Sequence, residues 1–578
     1  MWQAFYQVKI LRPSTHYVQV RLTLTHVSLP NQLEVFLPSW SPGSYLMREY
    51  ARHLRCLKVS NQFGEELAVI PKSKSAWTIL PFQSNPNNKS QQVVVEYEVY
   101  CHEASVRTSY IDESHAFLHG PSYLLGLLTQ DSSVIAPVIE FDIPKSWSKI
   151  AVSLKAAPNS PREVLRYQAQ SFDELLDCPV ELGCHDSDGF QIENTTYELA
   201  TYGIELPHKN NIKTHIKKIT ETINSYWGEV PFNHYLYLIH FLPNTYGGLE
   251  HANSTVLMYD GRKLAIRKEY VSFLSLVAHE YFHAWNVKRI RPRELGPFDY
   301  QNENYTTMLW LAEGLTKFMD DYLVLRAKLM SIEEYLDFLK SDINVYYKTA
   351  GRKYDSLESS SWGAWIKLYR PHENSANSSI SYYLKGGLVF LCLHLELKKK
   401  GLSLKTLNQL LWKRFKENSN QGLSKEEFYL ILQNMGAGED IIDLFDDYIS
   451  TTKEINFSKH FAHAGIELQW EKEKLDFGID LEFQGDRIFI KTVLEDGAAH
   501  QSGLNAQDEI LAINQMRLLK VDWDWFMQQL QEDTYYQVTV ARQGVIMNCA
   551  VLAKKSFPKI ALLKVQEITQ FNEIFELL

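Results

Sequence analysis

Residues 270–287 read YVSFLSLVAHEYFHAWNV. Val271, Leu274, Ala278, Phe282 and Trp285 recur at intervals of three and four, which predicts a helix with one apolar stripe from Tyr270 to Val287. His279 and His283 stand four residues apart on it, about 40° apart around the axis. Two imidazoles so placed can converge on one Zn²⁺ while Glu280 reaches a water on the metal. The ordinary alternative is a pair of unremarkable helix histidines beside a surface glutamate.

A catalytic zinc takes three protein ligands and keeps one position open. Glu313 follows in Trp310-Leu-Ala-Glu-Gly-Leu-Thr316, on a helix predicted over Met308 to Met330, and a neighbouring antiparallel helix could bring its carboxylate to the metal. Glu303 and Glu294 remain open as alternatives. The class with a third histidine would need it six residues after His283, where Arg289 stands, so a His₂Glu set is favoured. Asp320 lies on the same helical face as Glu313 and could orient a ligand; it could equally be a solvated helix carboxylate.

The chain has 578 residues, and one domain per ~150 residues suggests three or four. With 45% hydrophobic and 22% charged residues, disordered and fibrous classes are excluded. A formal net charge of −10 argues against a nucleic-acid partner. Six scattered cysteines without a C-x-x-C pair do not make a disulfide framework, which favours a reducing compartment. The N-terminal MWQAFYQVK lacks the basic and apolar regions of a secretory signal, and apolar stretches such as Gly386 to Leu395 fall short of the ~18 to 20 residues that span a bilayer. The expectation is a cytoplasmic chain without a membrane span.

Outward from the helix the periodicity changes. Before about residue 185, Val18, Val20, Leu22 and Leu24, then Val93, Val95, Tyr97 and Val99, alternate as half-buried strands do. Turn-rich pieces, Pro38 to Ser44 and Ser84 to Asn88, separate them, which predicts an antiparallel β domain. His215 to Trp227 reads as a helix and His234 to Leu242 as a strand. Helical patterns then run through Ser331 to Tyr347, Leu384 to Lys398 and Leu404 to Tyr448, with capping boxes at Ser331/Glu334 and Ser424/Glu427. From Ile466 strands return at Arg487 to Val493, Glu509 to Ile513 and Tyr536 to Ala541, with a helix near Trp523 to Leu530.

At this point a resemblance becomes specific. His279 to Pro292, HEYFHAWNVKRIRP, with Trp310 to Thr316, resembles the signature of the glycyl aminopeptidase family, PDZ-bearing gluzincin metallopeptidases related to the aminopeptidase N family. Pro38-Ser-Trp-Ser-Pro-Gly-Ser-Tyr45 and Asp173-Glu-Leu-Leu-Asp-Cys-Pro-Val180 resemble that family's N-terminal β domain. Tyr246-Gly-Gly-Leu-Glu-His251 resembles the Y-G-G-M-E-N exopeptidase motif, with Leu249 for Met and His251 for Asn. The resemblance implies that Glu250, with Gly247 and Gly248, binds the substrate, and that Glu250 takes the α-ammonium through a charge-assisted hydrogen bond. Tyr383-Leu-Lys-Gly386 resembles the segment that supplies a transition-state tyrosine, with Tyr382 the alternative if the register slips. Gly497 to Asn514 resembles a PDZ run with Gln507 where Gly is common. Phe477-Gly-Ile-Asp480 would then be its carboxylate-binding loop.

The expected fold is multidomain α+β: an N-terminal antiparallel β domain (1–185), a mostly helical, thermolysin-like gluzincin catalytic domain (186–460), a PDZ-like domain (461–560) and a C-terminal tail (561–578). The expected function is that of a zinc metallo-aminopeptidase. One Zn²⁺ would be held by His279, His283 and Glu313, with Glu280 as base and Tyr383 on the oxyanion. Substrates would be peptides with a free N-terminus and small first residues, Gly or Ala, and a peptide or protein ligand could bind the PDZ domain. Two alternatives stand beside it: a zinc endopeptidase or oligopeptidase that recruits C-termini through the PDZ domain, and a non-catalytic PDZ scaffold.

Overall fold

The computed structural model describes residues 2–26, 32–80, 91–128, 136–161, 163–206, 209–419 and 421–577. The turn expected at Ser84 to Asn88 lies outside them. The chain divides into two units, residues 1–305 with 415–422, and residues 306–414 with 423–578.

In the first unit the alternation at Val18, Val20, Leu22 and Leu24 marks the inner face of strand Tyr17–His26, with all four at most 2% exposed. This strand pairs antiparallel with Gln91–Tyr100, Val20 opposite Tyr97 and Leu22 opposite Val95. Cross-strand apolar pairs on one face are what stabilise such a sheet. The seven-stranded sheet they belong to departs from the antiparallel expectation at one place, where Gln3–Lys9 lies parallel to Val138–Asp142. Two four-stranded sheets complete the β domain. A five-stranded mixed sheet follows, in the order Asp186–Ile192, Thr195–Gly203, His234–Phe241, Ser254–Tyr259, Tyr246–Glu250. Its central strands are parallel, the helix Lys209–Trp227 making the connection that parallel pairing requires. His234–Phe241 is buried from its second residue onward, as befits a strand covered on both faces. Tyr246–Glu250 is left at the sheet edge.

The helix Arg267–Phe282 packs against this edge and against Lys209–Trp227. It is shorter than the sequence suggests, ending at Phe282 with His283 as its cap. It also carries no single stripe: Phe273, Val277 and Tyr281 are as fully buried as Val271, Leu274 and Ala278. From Phe273 to Phe282 every residue is buried, so this part of the helix is enclosed on every side.

In the second unit the helix expected from Met308 opens instead as a π-helical turn, Trp310–Gly314, before the α-helix Leu315–Arg326. Both capping boxes form, at Ser331 before Ile332–Lys348 and at Ser424 before Lys425–Asn434. The long pattern from Leu404 resolves into three helices, Leu404–Glu417, Lys425–Asn434 and Glu439–Ser450. The PDZ strands Arg487–Val493, Glu509–Ile513 and Tyr535–Arg542 share one sheet, and its helix is Lys520–Met527. Gln507 adopts φ +70°, the left-handed conformation for which glycine is the usual choice.

Polar contacts tie this sheet to the helices. Asn377 Nδ2 donates to the Val493 carbonyl at 2.8 Å while its Oδ1 accepts from the Glu495 N–H at 2.9 Å. Lys353 pairs with Asp496 at 2.8 Å, and Lys348 pairs with Asp480. Beyond the PDZ sheet the chain continues as strand Ile560–Val565, paired with Ile466–Trp470, and helix Ile568–Ile574. Phe571 and Phe575 are fully buried, and Glu576 pairs with Arg326 at 2.8 Å and Lys398 at 2.6 Å. Among the described residues no helix is long and apolar enough to cross a membrane.

Candidate active site

In the first unit His279 and His283 both point inward, 9% and 1% exposed. Their Nε2 atoms face each other at 3.0 Å with the ring planes at 85°. His283 Nδ1 lies 2.6 Å from the Asn286 carbonyl. A carbonyl can only accept, so Nδ1 carries the proton and the Nε2 lone pair is directed at its partner histidine. This is the tautomer a metal ligand needs, fixed by a main-chain oxygen behind it. The donor set therefore fits a divalent cation such as Zn²⁺.

Glu280 is 5% exposed. The edge strand Tyr246–Glu250 passes so near that a Cβ at Gly248 would lie 2.0 Å from Glu280 Oε1. Gly248 is thus required for the carboxylate to occupy its place, and the Gly248 carbonyl accepts from Arg107 Nη2 at 3.1 Å. Gly247 faces Arg107 and Val106, each 3.7 Å from where its Cβ would be. Glu250, 4% exposed, ends the strand. One carboxylate oxygen each from Glu250 and Glu280 and one nitrogen of His283 lie within 4.8 Å of one another. Two carboxylates and an imidazole in so small a space suit a cationic guest and a proton acceptor side by side.

The residue after Glu250 has a role that the motif comparison left unassigned. His251 Nδ1 donates to Asp177 at 3.0 Å, and Asp177 also takes Lys288 Nζ at 2.7 Å and the Ala252 N–H at 2.8 Å. Burial alone would raise the Asp177 carboxyl, but the Lys288 ammonium and the His251 bond outweigh it and hold it well below the usual carboxylate range. Lys288 is correspondingly raised: burial would lower it, and the charges of Asp177 and Glu250 reverse that. Sequence reasoning missed Asp177 and Lys288 as a pair because 111 residues separate them. Each lies within a segment that resembles the family, Asp177 in Asp173 to Val180 and Lys288 in His279 to Pro292, but nothing in either segment points to the other.

In the second unit Glu313 is 1% exposed on the π-helical turn. In the first unit Glu294 is exposed and Glu303 half-buried. The turn can lie close to helix Leu384–Lys399 because both sides are glycine: a Cβ at Gly314 would be 2.7 Å from Gly386 Cα. Tyr383, at the start of that helix, has its phenol raised far above the ordinary value, first by burial and then by the Glu313 charge, so it stays a proton donor. Its hydroxyl lies 3.3 Å from that of Tyr369. Tyr382 is fully buried. Asp320 does not stand alone with Glu313: it pairs with Lys317 at 3.2 Å, beside Asp321 at 2.9 Å from the same ammonium.

In the PDZ sheet, the Phe477 to Asp480 loop turns at Gly478, φ +67°, where a Cβ would strike Gly497 Cα at 2.5 Å. The strand Ile479–Gln484 that follows is an edge of the sheet among the described residues.

Comparison with known proteins gives matches in three segments of the chain. A model described as M61 glycyl aminopeptidase matches residues 272–389, one described as peptidase M61 N-terminal domain matches 5–184, and a PDZ domain model matches 465–538. Among curated proteins no significant match is found. Among solved structures, an aminopeptidase N family protein from Idiomarina loihiensis is similar over 100% of both chains, with 26% identity and a TM-score of 0.91. An M1 zinc metallopeptidase from Deinococcus radiodurans is similar in fold over 78% of this chain and 94% of its own, with 13% identity and a TM-score of 0.50. With the N-terminal, peptidase and PDZ segments all matched in order, the chain belongs to the M61 glycyl aminopeptidase family and is by class a metallo-aminopeptidase.

Proposed function

We propose that the protein is a zinc-dependent aminopeptidase that releases the first residue of peptides with a free N-terminus, preferring glycine and alanine. The observation that carries this reading is the clustering of Glu250, Glu280 and His283 within 4.8 Å. His279, His283 and Glu313 would hold one zinc ion per chain. The buried histidine pair, the Nδ1 bond to Asn286 and the burial of Glu313 support that ligand set. When bound, the metal supplies a Lewis acid for the scissile carbonyl and acidifies water beside it.

The protein's own groups do the rest. Glu280 takes the proton of the attacking water and passes it to the leaving amine. Tyr383 donates its O–H to the developing oxyanion, a contribution of a few kcal/mol. Glu250 receives the substrate's α-ammonium, so that cleavage falls one residue in from the N-terminus. Asp320, paired with Lys317 on the helix that follows the Glu313 turn, is the candidate for orienting that ligand. The PDZ edge strand Ile479–Gln484 offers a place for a peptide or protein partner to add as a strand. Six free thiols fit a reducing, cytoplasmic setting.

The test is Glu280→Gln. The variant should keep stoichiometric zinc yet lose hydrolysis of Ala-p-nitroanilide by about 10²-fold or more; wild-type turnover by this variant would refute the mechanism. Wild type assayed on Gly-, Ala- and Leu-p-nitroanilide reads the side-chain preference, and equal or better turnover of the leucine substrate would refute that part.

A further inference from the structure

The turn Ser41-Pro-Gly-Ser44 belongs to the β domain, yet its main chain lies against the carboxylate of Glu250. Gly43 has φ +82°, and a Cβ built on it would lie 2.5 Å and 2.6 Å from the two Glu250 oxygens and 2.8 Å from Cδ. The turn itself cannot retreat. Ser44 N–H closes it on the Ser41 carbonyl at 3.0 Å, Ser39 N–H is bonded to the Tyr300 carbonyl at 2.8 Å, and the Trp40 indole N–H to the Asp299 carbonyl at 2.7 Å. Trp40, Ser41 and Ser44 are at most 2% exposed. Of the two parts in contact, only the end of the Glu250 side chain has freedom to move. Gly43 and Glu250 also share the wall of one cavity of about 470 Å³, with Tyr45, Asp177 and Lys288. The carboxylate held by the turn is therefore one that faces space a ligand can enter.

We propose that Gly43 is a positioning residue for substrate binding: the β-domain turn fixes where the Glu250 carboxylate stands and hence where the α-ammonium docks. This rests on the reading of Glu250 as the amine anchor. It assigns the β domain a part in substrate recognition that the catalytic motif by itself does not disclose.

The experiment is a double-mutant cycle on Ala-p-nitroanilide with Gly43→Ala, Glu250→Ala and the double variant, each with measured zinc content. Gly43→Ala should raise KM about tenfold or more with a smaller change in kcat, since misplacing a binding group by about 1 Å is costly. In the Glu250→Ala background the same substitution should have no further effect on KM. Gly64→Ala is the control for backbone strain. Gly64 has the same φ of +82° with no atom within 4 Å of its Cβ, so KM should stay at the wild-type value. The positioning role is overturned if Gly43→Ala leaves KM unchanged, if its effect is the same in both backgrounds, or if Gly64→Ala raises KM equally. Failure of the Glu250 reading has its own signature: Glu250→Ala alone would leave KM unchanged, and the positioning role would fall with it. If Gly43→Ala is too unstable to purify, adding Glu250→Asp, whose shorter carboxylate vacates the contact, should restore folded protein; no restoration would overturn the proposal.

Discussion

Asp177 shows what a single residue contributes. It accepts from an imidazole, an ammonium and a main-chain amide at once. Removing its charge would leave Lys288, whose side chain is 10% exposed, without its closest anionic partner. Asp177→Asn is therefore expected to destabilise the fold by about 3–5 kcal/mol at neutral pH, the cost of stranding a buried charge. The pH dependence follows from the depressed carboxyl. Its stabilising effect is complete above the unfolded value of about 4 and is lost as pH falls through the folded value. Urea unfolding of both proteins should show a wide gap at pH 7 that narrows below about pH 4; a gap independent of pH would contradict this account. At this scale the sequence is uneven as a guide. His279, Glu280 and His283 are legible because a fixed helical spacing brings them together. Glu250 was legible through resemblance alone, since a Gly-Gly-Leu-Glu segment without a fold is just a turn. Gly43 and Asp177 were not legible as site residues because their partners lie 207 and 74 positions away.

At the scale of elements, boundaries and ends account for the differences between expectation and structure. The helix Arg267–Phe282 was foreseen from its periodicity, but not its enclosure, because periodicity reports the residues on a helix and not what the sheet and the neighbouring helix cover. The π-helical turn at Trp310–Gly314 carries no distinct pattern of its own; it is the kind of distortion that accompanies functional positions. The final segment read as a tail, since two turns of helix with apolar residues at Phe571, Ile574 and Phe575 are too short for a periodic signal. In the structure Phe575 is fully buried among Tyr322, Tyr335 and His394. His394 Nε2 donates to the Ile574 carbonyl at 3.1 Å. Phe575→Ala should thus cost about 3–5 kcal/mol, as for other large-to-small core changes. Thermal unfolding of the full-length chain measures it, and an unchanged midpoint would show that this helix is not part of the core.

At the scale of the whole molecule, strand and helix periodicity were enough to separate a β region, a helical region with the catalytic motif and a second strand-rich module, which resemblance then read as PDZ, and the structure has all three kinds of region. Of the parallel strands, His234–Phe241 was foreseen, whereas Thr195–Gly203 and Ser254–Tyr259 were not; the last is buried throughout and lacks the alternation that marks half-exposed strands. They matter because they set the edge strand that carries Gly248 and Glu250 beside Glu280. The central claim is that these parts make an exopeptidase that reads a free amine. It is tested most directly by incubating one zinc-loaded protein sample with an alanine-initiated pentapeptide and with the same peptide N-acetylated, and identifying the products by mass. The account predicts release of free alanine from the first and no cleavage of the second. Cleavage of the acetylated peptide, or an internal cut in either, would contradict it.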